Sequence, residues 1–249
     1  MLKEERFHYI LSKLSEDQKV TLKSLSQDLK VSDYTIRRDL KELTDLNLLT
    51  AVRGGAIPHT PTPHHFLDRL NYKVDEKKAI AEKAIKFLHD GQIIVLDGGT
   101  TALNISTLLP PDLKITVVTH SFPVASALEM HPNAEVLFAG GRLQKESFTS
   151  TGYETIRFFS SIRADIYFMG ICALHPTSGV TTIDYEESEV KKTIVGVSKQ
   201  VIAVTPRDRL NSAEAFYICP LSAVNTIITD GDADQEMEEF SGQNGIKVF

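Results

Sequence analysis

Apolar residues recur at helical spacing in three bursts near the start of the chain: Phe7, Ile10, Leu11 and Leu14, then Leu22, Leu25 and Leu29, then Ile36, Leu40 and Leu43. Steps of three and four put each set on one side, so each burst predicts a short helix with a single buried face. Thr21 and Ser32 stand where the second and third helices should begin, and a hydroxyl there can accept from a free first-turn amide. Beyond Leu46 the stretch NLLTAVRGGAI is apolar and β-branched, which predicts a small hairpin that loosens at Gly54-Gly55.

From about residue 73 the pattern changes to strands alternating with helices. A helix over DEKKAIAEKAIKFLHDG ends at Gly91, the buried-strand run QIIVLD follows, and the turn GGTT leads into a helix over ALNISTLL that Pro110-Pro111 stops. Next come the strand KITVVTH, a helix from Ser121 to about Met130, the strand AEVLFAGG and a helix near residues 152–160. The strand DIYFMG, a helix across EESEVKKTIVGVSK, and the late strands QVIAV, VNTIITD and IKVF complete the series. Strands that are apolar throughout, set between helices, predict a mostly parallel sheet covered on both faces.

PHTPTPHH, residues 58–65, fits neither pattern, because its prolines remove backbone donors and favour an extended path. The expected division is therefore a helical module with a hairpin at 1–57, a Pro/His-rich linker at 58–72 and an α/β domain at 73–249. His59, His64 and His65 are read as solvated linker residues, since a metal site needs fixed ligand geometry and outer-shell support. Neither a metal nor a cofactor is expected.

Charge alters this picture only when it is divided. The 249 residues carry a net charge of -6, but residues 1–57 hold ten Lys and Arg against nine Asp and Glu. A nucleic-acid surface in that module must come from gathering its cations on one face. No apolar run approaches the length of a membrane span, and MLKEERFHYIL is too charged for a signal peptide, so a cytoplasmic protein with reduced Cys172 and Cys219 is expected.

The third predicted helix gathers such a face. Advancing ~100° per residue from Tyr34 sets Tyr34, Arg37, Arg38 and Lys41 opposite Ile36, Leu40 and Leu43. A short helix ahead of it across a tight turn is the arrangement of a recognition helix, whose first residues enter the major groove. Ser32 and Thr35 stand at its start, and Arg53 stands at the hairpin tip, within reach of a phosphate or the minor groove as in winged helices. Arginine forks also suit guanine edges.

VLDGGTTALNIS marks a second candidate site. Gly98 and Gly99 let backbone approach a ligand closely, while Thr100 and Thr101 bring hydroxyls to a helix start that already favours an anion, above all a phosphate. No Lys follows the glycines as in a nucleotide-binding phosphate loop, and the dinucleotide fingerprint is absent too. Polar groups at other strand ends could converge there: Thr119, His120 and Ser121, Gly140 and Gly141, and Gly170. Ligands in open α/β sheets sit at such carboxyl ends.

VS-x-x-TIRRDL followed by RGGA, in this order and spacing, resembles the DeoR family of bacterial transcriptional regulators, and the resemblance runs through most of the α/β part. It implies a winged helix-turn-helix that binds operator DNA and a C-terminal sensor similar in fold to ribose-5-phosphate isomerase and coenzyme A transferases. It further implies a phosphorylated sugar effector, with Asp97, Gly99, Thr100 and Thr101 at the phosphate, Thr119 to Ser121 and Gly140-Gly141 lining the pocket, and Lys191 beside it. Where many members read VVTNS this chain has His120, and where they read ADSSK it has AVTPR, which puts Val204 at the Asp position and Arg207 at the Lys position. Arg207 keeps a cation for the effector; Val204 loses a carboxylate.

The expected function is a repressor of a carbohydrate operon, homo-oligomeric as a dimer or tetramer on double-stranded operator DNA, and modulated by a phosphosugar. A sugar-phosphate isomerase is the alternative. Proton transfer at a sugar carbon needs a positioned carboxylate, and the turn where isomerases of this fold carry acids reads ICALHPTSG, without Asp or Glu. A protein partner for the near-neutral N-terminal module is a third reading, which salt-dependent DNA binding would separate from the first.

Overall fold

A computed structural model describes residues 2–231 other than 18, 47, 59–62 and 64, together with 242 and 245–249. His59 and His64 thus lie outside the described residues. The three predicted helices form as α1 (Lys3–Asp17), α2 (Leu22–Leu29) and α3 (Asp33–Asp45), and the hairpin as β2 (Leu49–Val52) and β3 (Gly55–Pro58). Thr21 Oγ1 accepts from Ser24 N at 3.0 Å and Ser32 Oγ from Thr35 N at 3.2 Å, so both expected caps are made. Ile10, Leu14, Leu25, Leu29, Ile36, Leu40, Leu43 and Leu49 meet in one core.

A two-residue strand, β1 (Val20–Thr21), adds to the hairpin and pairs antiparallel with β3, Val20 opposite Ala56 and Thr21 opposite Gly55. Such a short strand leaves no periodicity to read. It explains Gly55, where any Cβ would come within 1.9 Å of the Val20 carbonyl oxygen. The glycine lets β1 close on the hairpin and fixes the wing against the helices.

The segment assigned to an extended linker is helical in its second half. α4 (Phe66–Leu70) packs Phe66 away from solvent, its amide donating to Glu146 O at 2.7 Å and its ring centred 6.2 Å from that of Phe148. The proline argument ends at Pro63, and FLDRL behind it has apolar residues enough to dock.

The rest of the chain runs α5 (Val74–Ala84), β4 (Ile93–Leu96), α6 (Thr100–Thr107), β5 (Ile115–Thr119), α7 (Phe122–Ala127), β6 (Ala134–Phe138), β7 (Arg142–Gln144), β8 (Thr149–Thr151) and α8 (Tyr153–Ser160). It continues with β9 (Ala164–Gly170), β10 (Ala173–His175), β11 (Gly179–Thr182), α9 (Tyr185–Val197), β12 (Ser198–Val204), β13 (Phe216–Cys219), β14 (Thr226–Ile228) and β15 (Lys247–Val248). Seven strands form a sheet in the order β15-β14-β12-β9-β4-β5-β6, and every pairing in it is parallel.

Successive strand residues face opposite ways. Ile94 and Leu96 of β4 therefore join the core under α5, α6 and α7, while Val95 joins the core under α8 and α9. An antiparallel sheet in the order β10-β11-β13 covers part of that second face, and β7 pairs with β8. These strands of three or four residues were absent from the predicted series, because they are too short to show a period. The chain leaves β4 toward β5 on one side and later returns to β9 on the other. The carboxyl ends of β4 and β9 thus form the switch point where open sheets take ligands.

Candidate functional site

Two regions gather the predicted residues. On the N-terminal module, Tyr34 is 76 % exposed and Arg37, Arg38 and Lys41 are exposed, whereas Ile36 and Leu43 on the opposite side are fully buried. Arg53 is exposed at the β2–β3 turn. Among the described residues none of Arg37, Arg38, Lys41 and Arg53 enters an ion pair. Their cationic heads are free for a phosphate or a base edge.

What holds this face in position was missed in the sequence. Arg6 of α1 forks onto Asp39 of α3, a residue with no exposure beside a core of leucines. The signal was present: the wheel that separates Arg37 from Ile36 puts Asp39 near Leu43, and a carboxylate on a core face requires a partner. Lys3 also pairs with Glu42 of α3.

The second region is a small cleft at the switch point, lined by Arg69, Gly98, Gly99, Thr100, Thr101, Gly170, Ile171, Cys172, Glu187, Lys191 and Arg209. Gly99, at φ 108°, holds a backbone that other residues rarely adopt and turns the chain from β4 into α6. Thr100 and Thr101 are the first two residues of α6, so the helix presents its unpartnered amides to the cleft. A Cβ on Gly98 would meet Thr149 Cγ2 at 2.4 Å, which packs β8 behind the turn.

Asp97 lies beneath the cleft, fully buried, and takes hydrogen bonds from Gly98 N and Gly170 N at 2.8 Å, from His120 Nε2 at 3.1 Å and from Lys191 Nζ. Burial alone would raise its pKa, but the Lys191 charge and the His120 hydrogen bond outweigh burial and hold the carboxyl well below the usual range. Lys191 is buried as well, and although burial opposes its charge, Asp97 and then Glu187 raise its pKa. Its ammonium also donates to Gly170 O at 2.8 Å and pairs with Glu187 Oε1 at 3.3 Å. Asp97 is a fastening that ties the ends of β4 and β9 to α9.

The structure divides the predicted effector residues. Gly98, Gly99, Thr100, Thr101, Gly170 and Lys191 line the cleft, with Asp97 behind them. Thr119, His120 and Ser121 do not line it: all three have no exposure, and the His120 ring bridges Asp97 to Ser150 O, 2.9 Å from Nδ1. Gly140 and Gly141 do not line it either, and pack instead against Thr155 and Thr151. Arg207 does not line it, its amide donating to Asp230 Oδ1 at 2.8 Å and its Nε to Asp230 O at 3.0 Å. The short helical turn at Arg207–Arg209 sends Arg209 inward in its place, onto Ile171 O.

Arg69 and Arg209 were absent from the predicted set. Arg209 is only 7 % exposed, and among the described residues the Nε of each is buried without a hydrogen-bond partner. Burial lowers the Arg209 pKa. Burial, then the charges of Arg209 and Arg69, push the neighbouring Lys77 down to about 8, while its ammonium donates to Arg69 O and Tyr72 O. These crowded cations sit beside helix-start amides, which suits an anion of more than one charge. Glu187 of α9 is the one carboxylate among the cleft's lining residues.

No group of three or more His, Cys, Asp or Glu among the described residues could hold a metal ion, and no described helix is long and apolar enough to cross a membrane. Residues 6–62 match the DeoR-like helix-turn-helix domain, and residues 72–231 match the DeoR C terminal sensor domain. The HTH-type transcriptional regulator GlpR of Haloferax volcanii is 31% identical over 250 residues, 100% of this chain and 98% of that protein. The glycerol-3-phosphate regulon repressor of Escherichia coli is 28% identical over 77% of this chain and 77% of its own length. Among solved structures, a ribose 5-phosphate isomerase A from Methanocaldococcus jannaschii covers 55% of this chain and 54% of its own at 17% identity, with a TM-score of 0.39.

Proposed function

The chain belongs to the DeoR family of helix-turn-helix transcriptional regulators, and from that premise we propose that it represses a carbohydrate operon until a phosphorylated sugar occupies the cleft. The observation that carries the effector class is the pair of buried guanidinium nitrogens, Arg69 Nε and Arg209 Nε, left without partners beside the first amides of α6. An unpartnered buried donor is costly, and a phosphate oxygen relieves it with a charge-assisted bond. In this reading Arg69, Arg209, Thr100 and Thr101 take the phosphate and Lys191 supports the floor.

On DNA, Tyr34, Arg37, Arg38 and Lys41 face the major groove, Ser32 and Thr35 meet the backbone at the start of α3, and Arg53 reaches a phosphate or the minor groove from the wing. The protein acts in the cytoplasm as a homo-oligomer, since one short helix and one wing offer few contacts and symmetric assemblies read repeated half-sites. The division at 1–57, 58–72 and 73–249 then has a use. Arg69 belongs to α4, the first element after the proline-rich stretch, so a ligand it grips can bias that path, to the extent that ligand favours one DNA-affinity state over the other.

A thermal-shift screen of sugar phosphates, free sugars, nucleotides and acyl-coenzyme A compounds tests the reading, joined to gel shifts on the protein's own upstream region. A sugar phosphate should raise the melting temperature and loosen the DNA complex, and the protein should not turn that compound over. Hits confined to nucleotides, or turnover without DNA binding, would sink it.

A further inference from the structure

Glu187 contributes a carboxylate to a cleft otherwise built for an anion, which is the wrong sign for a phosphate neighbour. Its side chain is 18 % exposed, and its contact with Lys191 Nζ is long, at 3.3 Å. Lys191 spends its other donors on Asp97 and Gly170 O, and Asp97 already receives four donors. Glu187 is thus the carboxylate in the lining with capacity to spare, and an ionised carboxylate only accepts.

Arg69, Arg209 and Lys191 share that lining with this acid. Burial pushes the Cys172 thiol up and Glu187 pushes it further, while Lys191 and Arg209 oppose that shift. A ligand in the cleft therefore meets guanidinium groups, helix-start amides and a carboxylate acceptor together.

We propose that Glu187 is a specificity residue that accepts hydrogen bonds from hydroxyl groups of the effector, so that the cleft selects a polyhydroxylated phosphate monoester over an equally charged phosphate lacking hydroxyls. This rests on the phosphate reading above and adds the polarity of the bound molecule. Hydroxyls suit the position better than an ammonium, because Lys191, Arg69, Arg209 and Lys77 already crowd the surroundings with positive charge. A site built to bond a hydroxyl rejects the analogue without it, since the acceptor is then stranded.

The test uses the full chain and calorimetric titration with glycerol 3-phosphate, ribose 5-phosphate, glucose 6-phosphate and fructose 6-phosphate against propyl phosphate and methyl phosphate. At least one polyol phosphate should bind on the order of a hundredfold tighter than propyl phosphate. Glu187→Gln keeps size and one acceptor but adds donors, so it should shrink that preference about tenfold while propyl phosphate binds as well or better, freed of like-charge repulsion. Glu187→Asp, which withdraws the carboxylate by one methylene, should fall between, and unliganded melting temperatures of both variants report their folding. Equal affinity for propyl and polyol phosphates, or an unchanged preference in Glu187→Gln, overturns the assignment of Glu187 and leaves the phosphate reading standing. Failure of every phosphate to bind overturns both.

Discussion

Arg6 and Asp39 join the first and third helices of the N-terminal module by a two-pronged ion pair, Nε to Oδ2 at 2.6 Å and Nη2 to Oδ1 at 3.0 Å. Asp39 directly follows Arg37 and Arg38, so the fork fixes the rotation of α3 about its own axis and thereby the direction of both arginines. Removing one partner of a buried pair strands the other charge, at a cost of about 3–5 kcal/mol. Asp39→Ala should therefore lower the unfolding midpoint of this module and weaken DNA binding even though Asp39 faces away from DNA. A denaturant titration checks it, and an unchanged midpoint would show that the pair adds nothing.

Arg37 and Arg38 are both exposed on the same face, yet they need not do the same work. The arginine that reads a base edge should cost ~1–3 kcal/mol on the operator when replaced with Ala, and relax specificity at one position. The arginine that meets only phosphate should weaken operator and random DNA alike and reduce the salt slope. Gel shifts of Arg37→Ala and Arg38→Ala on both duplexes at two salt concentrations distinguish the two cases.

Much of this was legible in the sequence, for physical reasons that differ by element. Ile36, Leu40 and Leu43 marked α3 because one buried stripe repeats at helical spacing, and the apolar run of β4 marked a buried parallel strand. The turn at Gly98–Thr101 was legible because close approach and positive φ select glycine. Arg69 and Arg209 were not: each is a lone arginine on a short element, and only the fold brings residues so distant in the chain to one cleft. His120 was misplaced for a related reason. It directly follows β5, next to β4, but that neighbour position lies behind Asp97, where the ring serves the carboxylate.

Lys77 gives the sensor domain an alkaline signature. Its ammonium is buried under the corner between α4 and α5, and burial, with Arg209 and Arg69, holds it down to about 8 from 10.5. The unfolded chain thus binds the proton more tightly than the folded one, and the Lys77 contribution to stability rises as pH climbs from about 8 toward 10.5. Tyr72 in the same corner acts in the opposite sense only above its ordinary value of 10, since burial and Asp208 push it up to about 12. Denaturant midpoints between pH 7 and 10 should rise for the wild type relative to Lys77→Gln. Parallel curves would show that the ammonium reaches water freely.

Arg207 and Arg209 are two positions apart on one helical turn, and only Arg209 lines the cleft. Sequence resemblance favours Arg207 as the effector's cation; the geometry favours Arg209. Arg207→Ala gives up the Nε hydrogen bond to Asp230 O, keeps the backbone one to Asp230 Oδ1, and should lower the unliganded melting temperature slightly while leaving the ligand-induced rise intact. Arg209→Lys keeps the charge but loses the planar fork, so the rise should shrink at equal ligand concentration, and Arg209→Met should nearly remove it. Binding to the native state adds RT ln(1 + [L]/Kd), so a tenfold loss of affinity at saturating ligand removes about 1.4 kcal/mol of that stabilisation. Thermal-shift curves for the three variants over a ligand series measure both effects separately. A full ligand response in Arg209→Met, with its loss in Arg207→Ala, would return the phosphate to Arg207 and require that turn to rearrange on binding.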